Sequence, residues 1–262
     1  MEHQSFFQRM LNIFLAPTEA FKDLTESVTW RDWVWPLVLV ILTVAIIPLF
    51  YRDITYHETL LGLQKGVKQI QQDPKYSDEQ KAKYQGYHDK QVSAVEDMYN
   101  KPWSIKTIGL TVLMSTAVFL IIITFWSTFL LIIGNFGMGG KAKFFQLVTI
   151  VTLSYYIGGS GISGMNQGIG ILELIIKAPL ILAKDSTQII LSPGLFLDSI
   201  KSFPARFINQ FDIFRLWSVI VLGIGFATLY KRSYATGVWT VGALWLALTA
   251  LGAGLMGLFP GA

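Results

Sequence analysis

The sequence predicts an all-α, polytopic membrane protein with about five transmembrane helices and an inserted extramembrane helical hairpin. Of its 262 residues 52% are hydrophobic and only 15% are charged, whereas soluble domains are usually about 25% charged. The charges are missing from a few long stretches, most of which could cross about 30 Å of hydrocarbon. A polar segment of some fifty residues separates the first two stretches. The length suits a single membrane domain over residues 1–262.

The apolar stretches predict five spans. Trp30, Trp33 and Trp35 surround the start of the first span, where indole rings favour the headgroup region. Pro48 is predicted to kink its end. The second span is longer than a bilayer requires, which predicts either tilt or a helix that continues outward into the hairpin. The predicted spans are residues 33–51, 105–134, 144–162, 213–230 and 238–259.

The N-terminal region, residues 1–32, is amphipathic. At helical spacing, apolar side chains share one side of residues 5–15, and Gln8, Arg9 and Asn12 take the other. Two interpretations carry equal weight: a helix lying on the bilayer surface, or a helix packed on the rest of the protein. Pro17 is predicted to begin a second short helix ending near Leu24. The apolar set is Phe6, Phe7, Met10, Leu11 and Phe14.

Residues 52–104 are polar and predict a helical hairpin that projects from the membrane. Asp73-Pro74 divides the segment into arms of about 54–72 and 77–100, and Ser77 with Gln80 has the spacing of a capping box. Eight acidic and eight basic residues leave it nearly neutral. Its core is too small to be very stable alone, so it should lean on the spans or on another protein. The apolar positions predicted to join the arms are Leu60, Leu61, Leu63, Val67 and Ile70 on the first, and Tyr84, Tyr87, Val92, Val95 and Met98 on the second.

Residues 169–184 are apolar but short for a span. Glu173 and Lys177 lie at i, i+4, a pair that supports a surface helix, so we predict an interfacial or re-entrant helix with a sixth span as the alternative. Further on, Ser192-Pro193 is predicted to cap an amphipathic piece bearing Phe196, Leu197 and Ile200 on one side. Asp212 is the predicted N-cap of the fourth span.

Lysine and arginine near span ends predict the orientation. Lys141, Lys143, Lys231 and Arg232 lie in two short links, and Arg31 precedes the first span. The positive-inside rule then puts the N-terminus in the cytoplasm and the C-terminus outside the cell's inner (cytoplasmic) membrane. The hairpin falls on the extracytoplasmic side. No cleavable signal peptide is visible, so the first span is predicted to act as an uncleaved signal-anchor.

Several classes of chemistry are excluded or disfavoured. The chain has no cysteine, which excludes disulfides, thiolate metal sites and cysteine nucleophiles. The net charge of +4 is dispersed and forms no basic block, so nucleic acid is not an expected partner. The segment from Gly159 to Gly164 matches the dinucleotide-binding glycine pattern, but it follows no strand and has no acidic partner about twenty residues on. Close helix packing explains those glycines better.

Two serines and three histidines are the remaining candidates for a catalytic or metal site. Ser160 and Ser163 lie in G-x-S-G repeats similar to the serine signature of rhomboid-type proteases, yet such chemistry needs a histidine base, and none of the histidines lies in a span. His57 and His88 fall on opposite hairpin arms beside Glu58 and Asp89, which allows a weak metal site; solvated surface histidines are the favoured interpretation. The sequence therefore predicts no catalytic, cofactor-binding or metal-binding residue and no enzyme. The histidines are His3, His57 and His88.

Two stretches resemble a known family. Residues 13–21, I-F-L-A-P-T-E-A-F, followed by residues 30–36, W-R-D-W-V-W-P, resemble the start of a Yip domain, the family of Ypt-interacting proteins. Residues 211–217, F-D-I-F-R-L-W, resemble the start of that family's fourth span. The resemblance runs from about residue 10 onward. It implies five spans, with Phe211, Asp212, Phe214 and Trp217 as structural anchors.

The resemblance also implies a class of function. Eukaryotic members bind Rab-type GTPases in the early secretory pathway, but this chain lacks their D-L-Y-G-P-type motif, so GTPase binding is not carried over. It looks like the bacterial branch, whose members commonly carry an extracytoplasmic helical insertion after the first span. Some bacterial relatives are associated with ABC exporters of the MacB-like class. This implies an accessory or scaffolding role.

The expected function is thus a non-enzymatic membrane protein that binds other membrane proteins, with a small permease or channel as the alternative. No chain of buried acids and bases is predicted to cross the spans, which disfavours a transporter with a polar midplane site. The lipid bilayer and a membrane protein, an ABC transporter among the candidates, are the expected partners. Small residues at 250, 253, 254 and 257 suit helix packing, either within one chain or in a homo-oligomer.

Overall fold

A computed structural model describes residues 4–25, 28–158, 170–189, 191–197 and 202–255, and every regular element in these ranges is helical. The predicted all-α class is confirmed. Short 3-10 segments occupy Lys22–Thr25, Ile47–Tyr51 and Pro193–Phe196, and a π-helical turn occupies Ile133–Gly137. The α-helices are α1 Phe6–Leu15, α2 Pro17–Ala20, α3 Arg31–Ile46, α4 Arg52–Gln72, α5 Asp78–Asn100, α6 Ile105–Ile132, α7 Phe144–Ser154, α8 Ile171–Lys184, α9 Phe203–Ile208, α10 Ile213–Leu229 and α11 Tyr234–Leu255.

Three helical runs are long and apolar enough to cross a membrane: Arg31–Gln72, Ile105–Gly137 and Tyr234–Leu255. The helices α7 and α10 are apolar but shorter, 11 and 17 residues. These two form the centre of the bundle, since every residue of α7 from Leu147 onward is buried. The long helices surround them and expose apolar side chains, as Trp239 does at 75%. Such a surface suits lipid rather than water.

The hairpin agrees with its predicted boundaries. Pro48 lies in the 3-10 segment between α3 and α4, so the first arm leads directly out of the first span. At the tip, Gln80 N–H donates to Ser77 Oγ at 3.3 Å and Ser77 N–H donates to Gln80 Oε1 at 2.9 Å, which confirms the capping box. On the return path the chain breaks before α6, whose first turn is capped by Ser104. The alternative in which α6 continues the hairpin helix is therefore wrong.

Both basic links lie at one end of the bundle. Arg232 donates to the carbonyl of Met138 at 2.7 Å, and Tyr230 Oη donates to Asn135 Oδ1 at 3.0 Å. A Cβ at Gly134 or Gly140 would come within 2.3 Å of the Tyr230 ring. These two glycines therefore make room for the Tyr230 ring, and residues 133–137 form a π-helical turn.

The third span differs most from prediction. Helix α7 ends at Ser154, well before residue 162, and residues 159–169 lie outside the described ranges. Leu172 N–H then donates to Tyr156 C=O at 2.9 Å, and Glu173 N–H to Ile157 C=O at 3.1 Å. These two bonds join the first turn of α8 to the turn that follows α7, and a Cβ at Gly170 would lie 2.4 Å from Gly158. The start of α8 therefore lies directly against the end of α7.

The N-terminal helix α1 packs against the rest of the protein. Arg9, expected on the polar side of α1, is buried and forms ion pairs with Asp23 and with Asp32, the latter at 2.6 Å. Ile13 is fully buried, whereas the apolar side chains of Phe7, Leu11 and Leu15 point outward. The helix is therefore packed on the bundle and still presents an apolar ridge that could enter a bilayer surface.

Candidate functional site

Three of the four residues expected to anchor the start of α10 contact other parts of the bundle, whereas Trp217 is exposed. Asp212 Oδ1 accepts from Phe214 N–H at 2.9 Å, which confirms Asp212 as the N-cap. The Phe211 ring lies edge-on to Trp245, with centroids 5.3 Å apart. Phe214 is buried, and its backbone would be 2.7 Å from a Cβ at Gly158. Only a glycine at position 158 permits so close an approach between the end of α7 and the start of α10.

Asp212 also takes part in a buried ion-pair group that the sequence did not predict. Its Oδ2 lies 3.1 Å from Lys177 Nζ, and that ammonium lies 2.5 Å from Glu173 Oε1. The side chains are buried, with exposed fractions of 0% for Glu173, 11% for Lys177 and 8% for Asp212. The i, i+4 pair of α8 therefore faces the interior, and the expected surface helix is wrong on this point.

Arg215 adds a fourth charge. Its guanidinium is buried one turn into α10 and donates to Gln210 Oε1. Arg215 also attracts the Glu173 carboxylate, but more weakly than Lys177 does. Two acids and two bases thus form a buried group of nearly zero net charge. We call Glu173, Lys177, Asp212 and Arg215 the junction cluster, because they lie where α7 gives way to α8.

The depth of the junction cluster follows from its place on α10. Asp212 caps the start of this helix, and the basic link with Lys231 and Arg232 follows its other end. At 1.5 Å per residue, the 17 residues of α10 put Asp212 roughly 25 Å from that basic end. Ionisable groups buried among apolar spans are costly and commonly mark a functional site.

The sequence contained a signal for this cluster. Glu173 and Lys177 are ionisable residues inside an otherwise apolar stretch, and Asp212 and Arg215 open an apolar span. Taken separately, each pair has a surface explanation. The tertiary contact between α8 and α10 brings them together, and spacing along the chain gives no indication of a pairing over 35 positions.

A second polar site fastens the hairpin. Glu58 accepts hydrogen bonds from Ser186 Oγ at 2.7 Å, from Thr187 N–H at 3.2 Å and from Thr187 Oγ1. Partial burial favours a higher pKa for Glu58, but these hydrogen bonds outweigh it and hold the pKa below its usual range. Tyr56 stacks on Tyr99 with centroids 4.1 Å apart, which joins the two arms at their base.

Beyond this base, the hairpin is exposed. Neither α4 nor α5 contains a buried residue over 21 and 23 positions. Leu61, Tyr84 and Tyr87 are exposed although the sequence placed them among the residues joining the arms. Tyr84 still packs edge-on against Tyr76, with ring centroids 5.6 Å apart. The exposed parts of the three side chains give the hairpin an apolar surface.

The remaining candidate residues form no site in the part of the chain that the structure describes. His88 Nδ1 lies 3.1 Å from Asp89, and Glu58 is engaged by Ser186 and Thr187. Within the described ranges no three residues among His, Asp and Glu are grouped so as to hold a metal ion. Ser160 and Ser163 lie outside those ranges, as do the predicted residues 159–162 of the third span and 256–259 of the fifth.

No family model, curated protein or solved structure shows a significant match to the chain.

Proposed function

We propose that the chain is a non-enzymatic scaffold or accessory subunit of the inner (cytoplasmic) membrane, which binds another membrane protein through its hairpin. The observation that carries the proposal is the hairpin itself. The two arms, of 21 and 23 residues, contain no fully buried residue and expose Leu61, Tyr84 and Tyr87. Exposed aromatic side chains are typical anchors of protein interfaces.

The orientation supports a partner outside the cytoplasm. The links that carry Lys141, Lys143, Lys231 and Arg232 lie together at the end of the bundle opposite the hairpin. With the positive-inside rule, this grouping favours a cytoplasmic N-terminus, an extracytoplasmic hairpin and an extracytoplasmic C-terminus. A periplasm-active reporter fused after Ala262 should be active. Activity only from a reporter that works in the cytoplasm would refute the orientation.

The family resemblance supports the class of partner. The bacterial branch of the Yip family, which the stretches at residues 13–36 and 211–217 resemble, includes members associated with ABC exporters. Asp212 and Phe214 hold α10 in place, which agrees with the anchoring role that the resemblance implies. An ABC exporter with an extracytoplasmic region is therefore the proposed partner class.

The experiment removes the exposed part of the hairpin and keeps its base. Residues 61–94 are replaced by a short Gly/Ser linker, which leaves Tyr56, Glu58 and Tyr99 in place. The protein should insert and remain monodisperse in mild detergent but lose the membrane proteins that co-purify with the wild type. Retention of every partner would show that the hairpin is not the docking element.

Point variants make the same test without a deletion. Leu61→Ser with Tyr87→Ser removes two exposed apolar side chains and should weaken partner binding. The matched control, Gln64→Ser with Gln91→Ser, changes two exposed polar positions on the same arms and should leave binding unchanged.

A small permease is the second candidate, and the junction cluster favours it. Discontinuous helices with ionisable side chains at the break are typical of transporter substrate sites. Purified protein in phospholipid vesicles with an internal pH dye tests this candidate under an imposed potential. Proton flux that Lys177→Gln abolishes would support a permease. Flux equal to that of empty vesicles would leave the cluster as a structural anchor.

A further inference from the structure

A groove lies at the neck of the hairpin, where the two arms leave the bundle. It encloses about 290 Å³ and is bordered by α3, α4, α5 and the first turns of α6. The bottom is formed by Ala45, Pro48 and Leu49, the side by Val95 and Met98. The lining is almost wholly apolar, apart from a few threonines and one arginine.

The groove follows from two breaks in the chain at the same height. Pro48 starts the 3-10 segment Ile47–Tyr51 on the outward path, and Pro102 lies in the break between α5 and α6 on the return. Each break lets a helix change direction. The arms come together again above, where Tyr56 stacks on Tyr99, so a space remains beneath that pair.

The surroundings place the groove at the boundary between hydrocarbon and headgroups. Phe50 is 71% exposed and Ile105 is 92% exposed, so the outer surface at this height is apolar. Trp103, also exposed, lies in the adjacent link, where indole marks the membrane interface. Just above, the hairpin is polar and has no buried residue.

One charged side chain lines the groove. The Arg52 guanidinium lies 5.5 Å from the centroid of the Tyr99 ring, and its Nε is 3.4 Å from the exposed carboxylate of Asp53. It is half-exposed and thus available to a ligand at the mouth. A guanidinium binds phosphate oxygens through two parallel N–H donors.

The size and apolar lining of the groove indicate which ligand can occupy it. An apolar cavity offers water too few partners to hold it well. A partner helix, about 10 Å across, is too wide for 290 Å³. An acyl chain fits, and the bilayer supplies one at this depth with its phosphate at the height of Arg52.

We propose that the neck groove is a phospholipid-binding site, with one acyl chain in the groove and the phosphate at Arg52. This inference is independent of the hairpin's protein partner. It assigns the hairpin base a lipid that fills the space between the two arms.

Binding of phosphatidylglycerol to the full-length, delipidated protein tests the site by native mass spectrometry. Arg52→Gln should weaken binding about tenfold, the usual loss for a charge-assisted hydrogen bond. Ala45→Phe, which fills the groove, should weaken it by at least as much. The matched controls are Arg31→Gln, whose guanidinium also lies 5.5 Å from an aromatic ring, and Ala243→Phe on the exposed side of α11. Both should stay within about twofold of the wild type.

A second measurement uses the wild-type protein, so it does not depend on the folding of a variant. A phosphatidylglycerol carrying a diazirine in its acyl chain is incorporated into nanodiscs with the protein and photoactivated. Adducts concentrated at residues 44–59 and 95–111 support the proposal. Adducts spread evenly over the lipid-facing helices, or Arg52→Gln and Ala45→Phe variants that bind like their controls, overturn it.

Discussion

The ion pairs of the hairpin are exposed to solvent, whereas those of the junction cluster are buried. In the hairpin, Asp97 lies 3.1 Å from Lys101 and 3.4 Å from Lys106, with all three side chains open to solvent. In the cluster, Lys177 joins Glu173 and Asp212 at similar distances, but the side chains are buried. Water solvates the hairpin charges whether or not their ion pairs form, so those pairs contribute little to stability. The charges of the junction cluster are buried away from water and are stabilised by their partners.

The contrast indicates that the hairpin presents the proposed binding surface and that the junction cluster holds the helices of the bundle together. Exposed charges keep the hairpin soluble and leave its apolar side chains free for a partner. The buried charges of the junction cluster fix which helices can meet, since leaving any one of them unpaired is costly. The two regions should therefore respond very differently to loss of a single charge.

The largest expected effect is at Lys177. Lys177→Met leaves Glu173 and Asp212 buried without their shared cation, which should destabilise the protein by about 3–5 kcal/mol. The thermal midpoint in detergent, followed by tryptophan fluorescence, measures the loss. Lys184→Met on the same helix is the control, because Lys184 is exposed. A double variant, Glu173→Gln with Lys177→Met, should recover part of the loss. Equal thermal midpoints for Lys177→Met and the control would show that the junction cluster does not contribute to stability.

A smaller effect is expected from Gly158, which sets the contact between α7 and α10. A Cβ there would lie 2.7 Å from the backbone of Phe214, so Gly158→Ala must push the helices apart. Overpacking of this kind costs about 1–3 kcal/mol. At Gly109 in α6 a Cβ meets nothing within 4 Å. Gly109→Ala should accordingly be neutral or slightly stabilising, since alanine favours helix by about 1 kcal/mol. A lowered midpoint for Gly109→Ala alone would contradict the packing argument.

Local patterns were sufficient for much of the fold. The capping box at Ser77, the N-cap at Asp212 and the hairpin boundaries depend on neighbours in sequence, and all three are confirmed. Span length was enough to find α6 and α10. The helix break after α7 was not predictable from apolar content, because residues 147–162 after Gln146 are apolar, small or aromatic.

The candidate site escaped prediction for a related reason. Glu173 with Lys177 is a valid surface pair, and Arg9 is a valid polar-face residue, if each helix is considered alone. Their burial results from contacts with Asp212 and with Asp23 and Asp32, which are distant in sequence or on another helix. Helical periodicity identifies the residues that share a face, while the choice of which face turns inward depends on those tertiary partners.

The smallest effect is expected at Glu58, a hairpin carboxylate that accepts hydrogen bonds from Ser186 and Thr187 of the bundle. Its pKa is lowered in the folded state, so its contribution is present at neutral pH and is lost as pH falls below the ordinary glutamate value of 4.5. Glu58→Gln removes the charge from hydrogen bonds to Ser186 and Thr187, at a cost of about 1 kcal/mol. The Thr187 amide donates to Glu58 directly and is therefore the reporter.

Hydrogen exchange, expressed as protection relative to the unfolded peptide, should fall about fivefold at Thr187 in the Glu58→Gln variant at neutral pH. Glu96→Gln, an exposed position on the same hairpin, is the control and should leave that amide unchanged. Wild-type protection at Thr187 should decrease towards the variant's value on acidification below pH 4.5, because the carboxylate then takes up a proton. If neither the substitution nor acid changes the protection of the Thr187 amide, the Glu58 hydrogen bonds do not hold the hairpin in place. The Tyr56–Tyr99 stack would then hold the hairpin base, and its charges would contribute as little there as they do along the arms.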